Sequence, residues 1–408
     1  TGEILALANR PTFNPNRFGA FGSARWRNRA VADAYEPGSV FKIFTAAAAL
    51  AQHVVDPDEV IDCGNGFIEI AGIRINDHAV YDRLSFRQVI AKSSDIGAIR
   101  VAQRVGREPF NRYLRGFGFG EPTGVDLPAE SAGLLRPTAR WSALSLPSMA
   151  FGQEIGVTAI QMAAAVGAVA NGGYLMRPLI VRQVEDGAGG VVKAYKPLAV
   201  RRVLEPETIE TLTPLLEGVV EGGTGRLAAI PGYRVAGKTG TAQKVDASGR
   251  YSAVDHVASF VGFVPSRRPA LVVLVSLDCP RGPKNQGGDV AAPLFARITE
   301  PALRHLGIPP DDAARVLRAS ASPQGLTPAA YHPASDPGAD ADIGRMPDLL
   351  GRPAREAAIT AARRGLIVEL KGTGRVSAQA PPAGAAVEAG MSCVLTLDHD
   401  AAPQPEGR

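Results

Sequence analysis

Three short segments in a fixed order constrain this chain more than anything else in it: Ser39-Val-Phe-Lys42, Ser93-Ser94-Asp95 and Lys238-Thr239-Gly240. A serine hydroxyl is a poor nucleophile, so a chain that acylates through serine must hold an unprotonated acceptor beside it. Lys42 suits that task. If residues 39 to about 52 form one helix, the i, i+3 spacing puts Ser39 and Lys42 on one face with their tips within reach. The second segment then supplies another hydroxyl and the third another cation. A lone S-x-x-K carries little weight, whereas K-T-G is far rarer and the order adds to it.

The flanking sequence adds more. TGEILALANRPTFNPN, NRAVADAYEPGSVFK, AKSSDIGAIRVAQRVG, GYRVAGKTGTAQK and ASFVGFVPSRRPALVVLV resemble the transpeptidase domain of class B penicillin-binding proteins. The motif set S-x-x-K, S-D-N and K-T-G belongs to that group and to class A β-lactamases. The resemblance runs from about residue 1 to about 307 and is closest to monofunctional division- or sporulation-type enzymes that cross-link peptidoglycan. It implies an α+β fold, with an antiparallel sheet flanked by helices, and no cofactor.

What the resemblance implies for the site follows residue by residue. Ser39 attacks the penultimate D-Ala carbonyl of a stem peptide ending in D-Ala-D-Ala, and an amine of a neighbouring stem captures the acyl-enzyme. β-Lactam antibiotics would acylate the same serine. Lys42 accepts the proton, with its pKa depressed by Lys238 and partial desolvation. Ser93 relays a proton toward the amine. Lys238, with the Thr239 and Thr241 hydroxyls on either side of Gly240, binds the substrate carboxylate. The backbone N–H groups of Ser39 and Thr241 form the oxyanion hole, worth roughly 3 kcal/mol per donor. One departure is plain: the family usually has Asn where this chain has Asp95. A carboxylate only accepts hydrogen bonds, so Asp95 is expected to pair with Lys42 rather than donate to substrate.

Composition narrows the remaining classes. A net charge of +4 and a pI near 9.0 are mild, and the arginines read as scattered, without a run or interleaved aromatics, which argues against nucleic-acid binding. Cys63, Cys279 and Cys393 form no C-x-x-C, and the six histidines show no ligand spacing, so neither a disulfide framework nor a metal is expected. No apolar run reaches membrane-spanning length; the longest, Ala270 to Leu277, is strand length. Family resemblance implies a preceding membrane anchor and pedestal absent from this fragment, and hence an inner-membrane protein working on the periplasmic side. It also implies a membrane glycosyltransferase of the SEDS family and other division proteins as partners.

Along the chain, Gly2 to Ala8 reads as a strand that returns beside the last strands of the sheet. Pro37-Gly38 opens the apolar helix carrying Ser39, and residues 85–105 form a helical segment that holds Ser93 and Asp95 near a turn. Thr158-Ala-Ile-Gln161 is a capping box. Helices are expected at 205–220 and from Asp289 to Leu306, and strands at 233–245, 256–264 and 270–278. Residues 308–344 have linker composition, rich in Pro, Ala and Asp. Residues 345–398, with Pro347-Asp348-Leu349 and the Gly372 to Gly384 core, resemble a PASTA domain, and 399–408 is a tail.

Three other readings remain open from the residues. A β-lactamase must hydrolyse its acyl-enzyme, yet no E-x-x-x-N segment lies between Asp95 and Lys238 to supply a class A base. A muropeptide- or β-lactam-binding sensor would acylate without turnover, and a D,D-carboxypeptidase would pass the acyl group to water.

Overall fold

The run after Ser39 has no polar stripe, and in the computed structural model of the chain it becomes a helix without a solvent face. This is α1 (Lys42–Ala51), entered through one 3₁₀ turn, Gly38–Phe41. Ile43, Phe44 and Ala46 to Ala49 are fully buried, as a helix apolar on all sides requires. The alanines let neighbouring helices approach closely. Phe44 fills the wider gaps, meeting Phe117 at 4.8 Å and Phe119 at 4.9 Å between ring centroids, both edge-on. Ser39 itself lies in the 3₁₀ turn, so the single helix expected from residue 39 begins one tight turn later.

The structure describes residues 1–245, 248–311, 344–362, 364–388 and 390–398. They fall in two compact units, Thr1–Pro323 and Gln324–Arg408. Most of the stretch assigned to a linker (308–344), and all of the assigned tail (399–408), lie outside the described residues. No helix of the described residues is long and apolar enough to cross a membrane.

In the first unit, β1 (Phe67–Ile70) and β2 (Ile73–Asn76) pair as a hairpin. Two helices follow, α2 (Phe86–Lys92) and α3 (Asp95–Val105). The helical segment expected over 85–105 is therefore broken. Ser93 closes α2 in the left-handed region, and Ser94 starts α3 by accepting the Gly97 N–H at 3.0 Å. Next come α4 (Ala159–Ala170), with the expected Thr158/Gln161 capping box, and α5 (Pro206–Glu221).

Three strands, β3 (Ala236–Val245), β4 (Tyr251–Val264) and β5 (Leu271–Asp278), form an antiparallel sheet in the order β5–β4–β3. Its faces are set by alternation along β4. Val261 and Phe263 join the core around α1, while Phe260 and Val264 join a second core with Phe295 and Leu303 of α6 (Ala292–His305). A π turn, Gly287–Ala291, precedes α6, where the sequence suggested one continuous helix. Helices packed on both faces of an antiparallel sheet make this unit α+β.

The expected first strand is a correction. Residues 2–8 make only an isolated bridge, Glu3 to Leu179, and do not return beside the sheet. Ile4 packs instead against the small cluster of Val31, Val125 and Ile160, and Leu5 is 66% exposed. Nothing apolar rewards a longer ladder there.

The second unit has α7 (Ala354–Ala362) against β6 (Ile367–Gly372), β7 (Arg375–Ala380) and β8 (Ser392–Asp398). The strand order is β6–β8–β7, with β6 parallel and β7 antiparallel to β8. Leu349, Ala357, Ala361, Cys393 and Leu395 form its core.

Candidate active site

Two glycines allow the Ser39 turn to sit on the edge strand β3. Gly38 has φ +58°, and a Cβ there would lie 2.9 Å from the Ala242 Cβ. A Cβ on Gly240 would lie 2.7 Å from Val40 Cγ2 and 2.9 Å from the Pro37 carbonyl oxygen. Any side chain at 240 would therefore push the strand off the serine turn. The Gly38 N–H donates to the Gly152 carbonyl at 3.0 Å. Glu36, just before this turn, accepts from the Glu154 N–H at 2.8 Å and the Tyr251 hydroxyl at 3.2 Å. Burial pushes the Glu36 carboxyl above its ordinary value despite those bonds.

Behind Ser39 the two lysines meet. Lys42 Nζ donates to Ser39 Oγ at 3.0 Å, to the Ser93 carbonyl at 2.6 Å and to Ser93 Oγ at 3.1 Å. Its ion pair with Asp95 Oδ1 is 2.6 Å long. Lys238 Nζ donates to Ser93 Oγ at 2.8 Å and to the Thr239 carbonyl at 3.2 Å. Both lysines are fully buried. Ser93 Oγ thus stands between two lysine amines, with its backbone at φ 62°, ψ 37°. For a serine that conformation costs on the order of 1 kcal/mol, and such strain clusters at functional sites.

Burying an ammonium is expensive unless it is paired. Lys42 has a carboxylate, whereas the hydrogen-bond partners of Lys238 are neutral. Accordingly burial, followed by the Lys42 charge and against the pull of Asp95, holds Lys238 well below the usual lysine range.

Asp95 is held by a residue that the sequence reading missed. Asp77, at the exit of the β1–β2 hairpin, accepts from Ser94 Oγ at 2.6 Å, from the Asp95 N–H and from the Ile96 N–H at 3.4 Å. This carboxylate caps the N-terminus of α3, where negative charge is favoured. Burial raises its pKa and the Asp95 charge adds to that, while the Ser94 hydroxyl works the other way. No local pattern marks Asp77, because its partners lie 17 to 19 residues on. His78, next to it, is lowered by burial and by the Lys42 charge.

The remaining expected residues divide by exposure. Thr239 is buried and shares a 2.6 Å hydrogen bond with the Thr224 hydroxyl. Thr241 is exposed, and its Oγ1 accepts the Gly287 N–H at 3.0 Å. Of the set expected to bind a carboxylate, Thr241 is the one at the surface, and Lys238 lies behind Ser93. The arrangement is a continuous hydrogen-bonded chain from Ser39 through Lys42 and Ser93 to Lys238, suited to moving a proton away from a serine nucleophile.

Residues 1–300 match the family described as penicillin binding protein transpeptidase domain, and residues 344–399 match the PASTA domain. The chain is 40% identical over 313 residues to stage V sporulation protein D of Bacillus subtilis, covering 76% of this chain and 48% of that protein. It is 38% identical to penicillin-binding protein PbpB of Mycolicibacterium smegmatis, covering 76% and 49%. The chain spans about half the length of these curated relatives. Among solved structures it is similar to the apo transpeptidase domain of Burkholderia pseudomallei penicillin-binding protein 3, with TM-score 0.66, 36% identity and coverage of 76% and 87%. It is also similar to Mycobacterium tuberculosis penicillin-binding protein 3 complexed with aztreonam, with TM-score 0.71, 36% identity and coverage of 76% and 71%.

Proposed function

Because the chain belongs to the penicillin-binding protein transpeptidase family, we propose that it is a peptidoglycan D,D-transpeptidase that works through a Ser39 acyl-enzyme. The observation that carries this reading is the hydrogen-bonded chain Ser39 Oγ, Lys42 Nζ, Ser93 Oγ, Lys238 Nζ. Ser39 Oγ attacks the penultimate D-Ala carbonyl, and its proton passes to Lys42 as Lys42 hands one on through Ser93 to Lys238, whose burial favours the neutral amine. The C–N bond to the last D-Ala then breaks, and the leaving amine takes a proton delivered through Ser93. An amine from a second stem attacks the ester and gives up a proton to the same chain; as the new amide forms the ester C–O bond breaks, and that proton returns to Ser39 Oγ. Lys238, buried with neutral partners, tunes Ser93, while Thr241 at the surface meets the substrate carboxylate with Gly240 and Thr239 behind it. The Ser39 and Thr241 N–H groups stabilise the oxyanion.

β-Lactams are expected to acylate Ser39, in line with the aztreonam complex of the similar mycobacterial protein. The proposed setting is the outer side of the bacterial inner membrane, with a SEDS-family glycosyltransferase and division proteins as partners. Intact-mass analysis with a penicillin, beside a cross-linking assay on D-Ala-D-Ala stems, tests the reading. A Ser39 adduct together with cross-linked dimers supports it. An adduct with neither dimers nor released D-Ala points to a sensor, released D-Ala without dimers to a D,D-carboxypeptidase, and released penicilloate to a β-lactamase.

A further inference from the structure

The arginines that read as scattered are not evenly so. Between Glu3 and Asp33 the chain has five arginines (Arg10, Arg17, Arg25, Arg27 and Arg29) and no Asp, Glu or Lys. Subtracting these five from the net charge of +4 leaves −1 on the rest of the chain. The positive excess is therefore concentrated in one short segment, and that segment does interleave aromatics: Phe13, Phe18, Phe21 and Trp26.

The segment folds as a closed loop. Asn9 Nδ2 donates to Asn28 Oδ1 at 2.9 Å, and the Ala30 N–H donates back to Asn9 Oδ1 at 3.2 Å. Surface loops with tied ends of this kind frequently carry function. Its aromatics pack on one another outside the core: Phe18 and Trp26 meet edge-on at 5.6 Å, and the Arg25 guanidinium stands 5.6 Å over Phe21. Phe18 remains 58% exposed and Trp26 45%. Asp33 takes Arg27 and Arg29. Among the described residues, no carboxylate lies within ion-pair distance of Arg10, Arg17 or Arg25.

The loop also has a definite place. Its exit runs through Arg29–Ala32 directly into the Ser39 turn. Burial acts upward on the Asp278 carboxyl, but the hydrogen bond from Lys244 and the charges of Lys244 and Arg29 hold it below its ordinary value. Lys244 Nζ donates to Asp278 at 2.8 Å from the end of β3, the strand that carries Lys238. At the base of the loop Val31 packs against Ile160 of α4, and the charge of Arg29 reaches the end of β5.

We propose that residues 10–28 form an accessory binding surface for the glycan-peptide polymer, with Arg10, Arg17 and Arg25 taking its carboxylates and Phe18 and Trp26 packing against a sugar face. The inference rests on the transpeptidase reading, which supplies a polymer of this chemistry. Guanidinium groups recognise carboxylates through paired hydrogen bonds, and the C–H face of a sugar ring is apolar enough to stack on an aromatic. An anionic lipid surface shares the negative charge. The exposed faces of Phe18 and Trp26 beside the arginines favour the polymer, which offers a sugar ring next to a carboxylate.

The test uses the full chain and the double variant Arg17→Ser/Arg25→Ser, both surface positions. The probes are a soluble un-cross-linked glycan-peptide polymer, the same polymer with its carboxylates amidated, and phosphatidylglycerol vesicles. The double variant is expected to bind the native polymer about tenfold more weakly, through the loss of two charge-assisted contacts. Amidated polymer should bind the unaltered protein as weakly, and penicillin acylation should stay unchanged. Equal polymer affinity in both proteins overturns the proposal, as does a loss confined to vesicles. Normal polymer binding by a protein that neither acylates nor cross-links would sink the transpeptidase reading and leave this surface standing.

Discussion

The two units bury different kinds of side chain. The first encloses Lys42, Lys238, Ser93 and Ser94 within a core of aromatic and branched residues, whereas every buried side chain among the described residues of the second is apolar. Placing an ammonium group in a protein interior costs several kcal/mol even after relaxation. Such a cost rivals the net stability of a whole domain, about 5–15 kcal/mol. Only a unit with a large surplus of apolar burial offsets a buried ion pair and a second buried amine, and α1 with its phenylalanine neighbours supplies that surplus. The small unit has a core of ten buried residues, too little apolar burial to offset a buried ammonium. Buried charge is thus the physical mark of where chemistry resides in this chain.

Experiments that break or sharpen this contrast can be ranked by size. Ser39→Ala should remove the penicillin adduct entirely, read by intact mass, while the thermal transition stays in place, because the hydroxyl sits at the rim of the core. A labelled Ser39→Ala protein would refute the site. Lys42→Ala should slow acylation by about a thousandfold or more, since nucleophile and base act as a unit. It also strips Asp95 of its ion pair, so the thermal midpoint should fall.

Asp77→Ala comes next. Losing the cap of α3 costs about 1 kcal/mol, a shift of roughly 1–2 °C in a unit that runs from Thr1 to Pro323. If acylation fell with no shift in the melting curve, Asp77 would act on the chemistry instead of the scaffold.

Asp95→Asn tests the electrostatics directly. The Asp95 charge raises the pKa of Lys238, so removing it makes the buried lysine easier to deprotonate. The acylation pH profile should move to lower pH, with a gain of a few-fold at neutral pH where the charge had opposed deprotonation. Superimposable profiles for the two proteins would show that residue 95 does not govern the lysines. The smallest effect is expected from deleting residues 345–408, which should leave acylation at Ser39 unchanged. A tenfold loss, about 1.4 kcal/mol, would mean that the second unit takes part in the chemistry.

Much of the first unit is legible in the sequence because its elements are strongly patterned. The apolar run after Ser39, the Thr158/Gln161 box and the alternation along β4 each report a local period or cap. The first strand misled because Ile4, Leu5 and Leu7 carry strand-like composition, while their fate depends on a neighbour distant in sequence. Asp77 stayed hidden for the same reason. Its hydrogen bonds join a hairpin exit to a helix start, and no local spacing encodes that meeting.

By itself the sequence determined which groups are available: a serine and lysine one helical turn apart, a hydroxyl pair with a carboxylate, and a lysine-threonine-glycine strand. It also determined that Asp95 could only accept. Tertiary structure decided how those groups share charge. It set Ser93 in the left-handed region between two lysine amines, gave the Asp95 carboxylate at 2.6 Å to Lys42 and left Lys238 to neutral partners. Residue type and local period are short-range properties written along the chain. The pKa of a buried amine depends on distances and desolvation contributed by elements far apart in sequence, and these exist only once the core has closed around them.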